Sequence, residues 1–167
     1  MAVTGVKGKP AVVKLGGAEE LRNSFVEGGT YEAGDLIRIN VAGEVVQAGT
    51  TSATDGAIQG IALQAGTDSG AIAPVLMFAN DTVVSIPCVD TVAPEDLSAG
   101  TLYTLEVAEG AWGVTATATA GVVTVVETAD QNQPWSDPYG TFSQDATVDN
   151  NRVLVKFAQA MLDVHGA

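Results

Sequence analysis

The sequence predicts an all-β protein: a compact barrel or sandwich built from two related β-meander units and preceded by an extended N-terminal arm. Three observations lead to this prediction. The chain of 167 residues is rich in Val, Thr, Ala and Gly, which favours pleated strands and tight turns over helices. Short apolar runs alternate with glycine turns from Tyr31 onward. The same order of strands and turns recurs in the second half of the chain.

The first 30 residues differ from the rest and are predicted to form the arm. They hold four of the seven basic residues and show no period-two pattern. Ala11–Leu15 are expected to add one strand. Ala18–Phe25 are expected to form about two helical turns, because Glu19 and Glu20 suit a helix amino terminus. Either a neighbouring subunit or partner holds the arm, or the arm packs on the protein's own β domain.

Residues 31–167 are predicted to form one β domain with two units, at about residues 31–90 and 97–160. In the first unit, alternation places Ile37 and Ile39 on one strand face and Arg38 on the other. Ala42, Gly43 and Glu44 form a hairpin turn. Further strands are expected in this unit at residues 45–47, 58–63, 72–78 and 82–89.

An internal repeat supports the division into two units. Ala33–Ile39 matches Ala99–Leu105 at a constant offset of 66 residues. Residues 57–63 match residues 121–126, and Pro74–Ala79 match Arg152–Ala158. Two such units can bury apolar faces that neither can bury alone.

The second unit carries an insertion at residues 130–151 that the first unit lacks. It places Trp135, Tyr139 and Phe142 among prolines and aspartates. These aromatic residues form either a docking or glycan-binding surface or a plug over one end of the β domain. The aspartates fit no known calcium-loop spacing, so no metal site is predicted.

The distribution of charge excludes two kinds of partner. The net charge is −13, and no basic residue lies between Arg38 and Arg152, where fourteen carboxylates occur. Such a surface repels nucleic acid and anionic membranes, so neither is an expected partner. An alternative role for this charge is to keep a β-rich protein in solution.

Catalytic and cofactor motifs are absent from the sequence. It contains no P-loop, nucleophile elbow, C-x-x-C or H-E-x-x-H pattern, so no enzyme activity and no cofactor are predicted. Cys88 is the only cysteine and is expected to be a buried core thiol. The longest apolar run, at residues 72–79, is too short to span a bilayer. With no secretory pattern at the amino end, folding in a cytoplasm is expected.

One stretch of sequence resembles a known family. The run GGTYEAGDLIRIN followed by VAGEVVQA, a polar loop and AIQGIALQAG is similar to the capsid cement, or head decoration, proteins of tailed bacteriophages. Gly34 and Asp35 match the Gly-Asp pair of one sequence motif of that family, and residues 60–62 match the Gly-Ile-Ala of a second motif. Residues 99–103 resemble the family's second strand pair. The resemblance extends from about residue 28 to residue 160 and does not include the arm or the details of the aromatic insertion.

The resemblance implies a non-enzymatic structural virion protein. Such a protein binds the outer surface of a phage capsid and stabilises it by bridging adjacent major capsid subunits, often as a trimer and sometimes as a dimer. It folds in the host cytoplasm and ends on the capsid outer surface.

The basic arm is the predicted capsid interface. Its cations are expected to steer onto acidic capsid patches, and its apolar residues are expected to add a strand or fill a groove. The predicted interface residues are Lys7, Lys9, Val12, Val13, Lys14, Leu15 and Arg22. The alternative function is a carbohydrate- or receptor-binding module that uses the aromatic insertion. A hydrolase is a third possibility, but the sequence shows no nucleophile and base pair for it.

Overall fold

A computed structural model of the chain describes residues 9–15, 20–48, 58–79, 81–89, 91–93, 96–108, 111–119, 121–127 and 152–157. These residues contain no α-helix and form several packed β-sheets, which confirms the all-β prediction. Their strands are β1 (Ala11–Lys14), β2 (Glu20–Arg22), β3 (Val26–Glu27), β4 (Thr30–Tyr31), β5 (Leu36–Ile39), β6 (Glu44–Gln47), β7 (Gly60–Ala62), β8 (Gly66–Thr67), β9 (Val75–Met77), β10 (Val83–Pro87), β11 (Leu102–Tyr103), β12 (Leu105–Ala108), β13 (Ala111–Val114), β14 (Val123–Glu127) and β15 (Arg152–Phe157).

The first sheet has six strands in the order β2, β9, β7, β5, β6, β3, and only the β3 and β6 pair is parallel. Both of its faces are apolar. Leu36 and Ile61 point into a core shared with the second sheet. Ile37 and Ile39 share the opposite face, as predicted, and pack in a smaller core. The pair formed by β4 and β8 contributes to this smaller core through Tyr31.

The second sheet has five strands in the order β1, β10, β15, β14, β11. A separate hairpin of β12 and β13 is linked to the end of β10 by one bridge between Cys88 and Val114. Cys88 is fully buried, as expected. Among the described residues, neither large sheet returns to its first strand. The barrel alternative is therefore wrong for this part of the chain, and the two sheets pack as a sandwich.

Strand pairing in the first unit recurs in the second. Leu36 lies opposite Ile61 in the first sheet, and Leu102 lies opposite Thr124 at the equivalent place in the second. The turn before each of these strands is also shared. The backbone N–H groups of Gly34 and Gly100 each donate a 2.8 Å hydrogen bond to the equivalent neighbouring strand, and both glycines have a positive φ, 88° and 83°. The two units are therefore related by more than composition.

The last matched strands of the two units are β9 and β15. Their structural alignment is shifted by one residue from the alignment of the sequences. Met77 lies opposite Gly60, and Phe157 lies opposite Val123 at the equivalent place, so Met77 and Phe157 are equivalent. The sequence match instead pairs Phe78 with Phe157. Apolar residues on both faces of β9 make the two registers hard to separate by pattern.

Different faces of the two units meet in the shared core. In the first unit the row formed by Leu36, Ile61 and Leu76 faces the second sheet. The equivalent row in the second unit, Leu102, Thr124 and Lys156, does not belong to that core. Its place is taken by the adjacent row of Tyr103, Val123 and Phe157. The Phe157 ring stacks on that of Phe78 from the first unit, with centroids 5.0 Å apart.

The arm is folded onto both sheets in the part that the structure describes. Strand β1 pairs antiparallel with β10, which confirms the expected strand in this part of the arm. The helix expected at Ala18–Phe25 is wrong, because Glu20–Arg22 form β2 and pair with β9. Two helical turns are marginal in isolation, so pairing with an existing sheet edge outweighs local helix propensity.

Strand β10 falls within the range that the sequence assigns to the first unit, yet it pairs with β15 of the second. The chain therefore crosses between the sheets after β9. Strands β1 and β2 of the arm pair with β10 and β9 respectively, so the arm crosses between the same two sheets in the opposite direction. The boundaries of the two units stay a prediction.

Candidate functional site

The predicted interface residues of the arm have different surroundings. Lys7 and the side chains of Val13 and Lys14 lie outside the described residues. Val12 is half-buried and packs against the shared core. Leu15 is 60% exposed, and Arg22 is exposed on β2.

Lys9 does not extend into solvent but contacts two carboxylates of the first unit. Its Nζ lies 2.5 Å from Oδ1 of Asp35 and 2.7 Å from Oε2 of Glu32. The Asp35 side chain is almost fully buried, with 1% exposed, whereas that of Glu32 is 65% exposed. Burial alone would lower the pKa of the Lys9 ammonium. Hydrogen bonds to Asp35 and Glu32 and their negative charges outweigh it, so the Lys9 pKa is raised above its ordinary value of 10.5.

Asp35 accepts further hydrogen bonds from three directions. Its Oδ1 accepts from Nε1 of Trp112 at 2.9 Å. Its Oδ2 accepts from the backbone N–H of Glu32 at 2.8 Å and from Nε2 of Gln47 at 3.3 Å. We call Lys9, Glu32, Asp35, Gln47 and Trp112 the Lys9 cluster. It joins the arm, the first unit and the second unit at one buried carboxylate.

Arg152 holds the same part of the arm from the second sheet. Its guanidinium is buried and donates hydrogen bonds to Oγ of Ser85 at 2.7 Å and to the backbone oxygen of Ser85 at 2.9 Å. It also donates to the backbone oxygen of Lys9 at 2.8 Å. The backbone and the side chain of Lys9 are thus fixed by different units, so the lysine has little freedom to move.

Exposed apolar side chains lie beside strand β2, which ends the first sheet among the described residues. Leu21 is 75% exposed and Leu63 is 45% exposed. A groove of about 230 Å³ lies between them and is lined by Leu21, Arg22, Asn23, Leu63 and Pro74. We call it the edge groove. A sheet edge next to exposed apolar side chains is suited to binding an extended peptide segment.

A buried carboxylate also organises one turn of the first unit. Oε2 of Glu27 accepts hydrogen bonds from the backbone N–H of Ser69 at 3.0 Å, from its hydroxyl at 2.8 Å and from the backbone N–H of Thr67 at 3.1 Å. These hydrogen bonds lower the pKa of Glu27 below 4.5. Glu27 therefore stabilises the turn after β8 in its ionised form.

Other candidate sites are reported only for the described part of the chain. Trp135, Tyr139 and Phe142 lie outside it, so the docking, glycan and plug interpretations of the insertion stay predictions. Within it, no group of three or more His, Cys, Asp or Glu side chains is placed to hold a metal ion. No helix there has the length and apolarity to cross a membrane.

Sequence reasoning did not find the Lys9 cluster. The sequence analysis placed Lys9 in the predicted capsid interface and noted Asp35 only as part of the Gly-Asp motif. The contacts are remote in sequence, since 26 residues separate Lys9 from Asp35 and 77 separate Asp35 from Trp112. One signal was available: Asp35 departs from the internal repeat, because Thr101 occupies the equivalent place in the second unit.

Comparison with models of known protein families and with curated proteins found no match to this chain.

Proposed function

We propose that this chain is a non-enzymatic structural virion protein that binds the outer surface of a phage capsid and stabilises it by bridging adjacent major capsid subunits. The edge groove is the observation that carries the proposal. It lies beside the arm strand β2, and it presents Leu21 and Leu63 to solvent. The resemblance of residues 28–160 to capsid cement proteins supplies the class of partner.

The edge groove would receive an extended segment of the major capsid protein. Such a segment adds main-chain hydrogen bonds along β2 while an apolar side chain fills the groove, a common way for a sheet edge to bind a peptide. A protein that binds the assembled shell and not its separated subunits stabilises the shell in proportion to the contacts made. Self-association as a trimer or a dimer would multiply these contacts around a symmetry axis.

Contacts of the arm narrow the proposed interface. Lys9 is engaged with Asp35 and Glu32, so we assign it to the internal structure and not to the capsid contact. Leu15 and Arg22 remain exposed on the arm and stay in the proposal. An acidic outer surface, which repels nucleic acid and anionic membranes, is consistent with a final place on the outside of the capsid after folding in the host cytoplasm.

A matched pair of substitutions tests the proposal. Leu21→Asp and Val41→Asp both replace an exposed apolar residue, 75% and 89% exposed, so neither removes core packing. Val41 lies in the turn between β5 and β6, outside the edge groove. Deletion of the whole arm would be less informative, because it would also remove two sheet edges.

The assay is co-sedimentation of each purified protein with expanded shells assembled from the major capsid protein encoded in the same genome. The wild-type protein and the Val41→Asp variant are expected to bind equally. The Leu21→Asp variant is expected to bind about tenfold more weakly or worse, a loss of about 1.4 kcal/mol. Failure of the wild-type protein to bind shells would overturn the proposed function. Equal binding by both variants would overturn the edge groove as the interface.

A further inference from the structure

Three groups in the Lys9 cluster have the arrangement needed to form an amide bond between two side chains. An amine and a carboxylate are in contact, with Lys9 Nζ 2.5 Å from Asp35 Oδ1. The carbonyl carbon of Asp35 is one carbon–oxygen bond beyond that oxygen, so Nζ lies within about 3.8 Å of it. A second carboxylate, that of Glu32, lies 2.7 Å from the same nitrogen.

We propose that Lys9 and Asp35 form an intramolecular amide cross-link, with Glu32 transferring the protons. This inference does not depend on capsid binding. In the reaction the Lys9 amine attacks the Asp35 carbonyl carbon and forms a carbon–nitrogen bond. The bond from that carbon to Oδ1 breaks, and Oδ1 leaves as water with one proton from the carboxylic acid and one from the amine. No oxidant, reductant or further reactant is consumed.

The required protonation state is a tautomer of the ion pair. The pair of an ammonium and a carboxylate contains the same number of protons as the pair of a neutral amine and a carboxylic acid. The Lys9 pKa is raised, so the resting state is the ion pair, and the reactive tautomer forms when one proton moves from Nζ to Oδ1 along the hydrogen bond that joins them. Glu32 contacts the lysine nitrogen and is positioned to take a proton from it and return it to the leaving oxygen.

Hydrogen bonds to Asp35 distinguish the oxygen that stays from the oxygen that leaves. Oδ2 accepts from the backbone N–H of Glu32 and from Nε2 of Gln47, so two donors face the oxygen on which negative charge develops during attack. Oδ1 contacts Lys9 and accepts from the indole of Trp112. Trp112 is fully buried and shields this side of the carboxylate from water, which disfavours hydrolysis of the product.

The reacting groups are also held in place before reaction. The Lys9 backbone oxygen is bound by the guanidinium of Arg152, and the arm continues from there into β1. Asp35 follows the turn at Gly34, where a φ of 88° favours glycine and the backbone lies in van der Waals contact range of the Lys9 side chain. Fixing both reactants removes most of the entropy cost of a reaction between two groups.

The test is the intact mass of the purified full-length wild-type protein after prolonged incubation at neutral pH. The cross-linked protein is expected to weigh about 18 Da less than its composition requires, a loss of one water. Trypsin should release residues 8–14 joined to residues 23–38, because Lys9 is followed by Pro10 and the bond after it resists cleavage. Fragmentation of the joined peptides should place the bond on Asp35.

Two variants serve as controls. Lys9→Arg keeps the positive charge but has no nucleophilic amine, so it is expected to show its full composition mass. Glu32→Gln keeps a polar side chain but cannot transfer protons in the same way, so the water should be lost about 10²-fold more slowly. The wild-type measurement does not depend on whether either variant folds. A wild-type protein that keeps its full mass, or a bond found on Glu32, would overturn the proposal.

Discussion

Replacing Leu36 with alanine is expected to destabilise the protein far more than the same change at Leu102, although the two residues occupy equivalent places in the two units. Leu36 is fully buried in the core shared by the sheets, whereas Leu102 is 39% exposed and outside that core. The comparison tests which face of each unit points inward, because both residues are leucines that lie opposite the equivalent strand, β7 or β14. The two strands differ in one respect: β5 also pairs with β6, whereas β11 ends its sheet among the described residues.

The magnitude follows from burial. A fully buried leucine loses transfer free energy and leaves a cavity, so Leu36→Ala is expected to cost about 2–5 kcal/mol. Leu102 loses only part of its contact area and leaves no enclosed cavity, so Leu102→Ala is expected to cost about 1 kcal/mol or less. In a domain of this size each kcal/mol lowers Tm by about 2–4 °C.

Guanidinium unfolding followed by fluorescence, with wild type and both variants under identical conditions, measures the difference. Equal m-values are needed for the comparison, since a changed m-value would signal a change in the unfolded or folded ensemble. Equal destabilisation by the two variants would refute the conclusion that the units bury different faces. A larger loss at Leu102 would show that the assignment of faces is reversed.

Three further predictions concern single contacts. The hydrogen bonds that lower the pKa of Glu27 make its ionised form stabilising above about pH 4.5, and this stability is lost as the pH falls through the lowered folded value. Glu27→Gln should therefore flatten the acid side of a plot of unfolding midpoint against pH, and an unchanged acid side would contradict this role. A Cβ at Gly60 would meet the backbone of β9, whereas one at Gly29 would make ordinary contacts, so Gly60→Ala should cost about 1–3 kcal/mol in thermal unfolding and Gly29→Ala should be nearly neutral. The Tyr103 hydroxyl accepts a 3.0 Å hydrogen bond from the Ser98 backbone, so Tyr103→Phe should lose about 1 kcal/mol, and full retention of stability would exclude a net contribution.

Local patterns in the sequence were sufficient to predict β5, β6, β7, β9 and β10, but not the short pair of β4 and β8. Period-two alternation places Ile37 and Ile39 on one face, and the structure agrees. Glycine turns before β5 and β11 predict the internal repeat, and their shared positive φ angles follow from the absence of a side chain. Strand β1 was predicted from the apolar run at residues 11–15 for the same reason.

Which face of each unit is buried was harder to predict. In the first unit both faces are apolar, as Leu36 and Ile37 show, so alternation does not say which face meets the second sheet. In the second unit, Thr124 and Lys156 occupy the places of Ile61 and Leu76. These polar residues indicate that this row does not face the shared core. They become informative only after the register of the two units is known.

The Lys9 cluster could not be predicted from local sequence patterns, because its residues come from distant parts of the chain. A lysine in a glycine-rich arm resembles a solvated cation, and only the path of β1 along β10 brings it to the turn that holds Asp35. The third contributor, Trp112, comes from a hairpin of the other unit. Contacts of this kind depend on how whole sheets meet, which no spacing within a short segment reports.

Contact between different faces of two related units has a consequence for assembly. It is a head-to-tail arrangement, so repeated copies of one unit would continue to add until they closed a ring or formed an open fibre. Each end of this two-unit stack carries a feature that opposes further stacking. The face of the first unit that points away from the shared core is partly covered by the β4 and β8 pair. The equivalent row of the second unit carries the half-buried Thr124 and Lys156 where the first unit has Ile61 and Leu76. The second unit thus serves as a terminal cap, comparable to the polar end repeat of a solenoid.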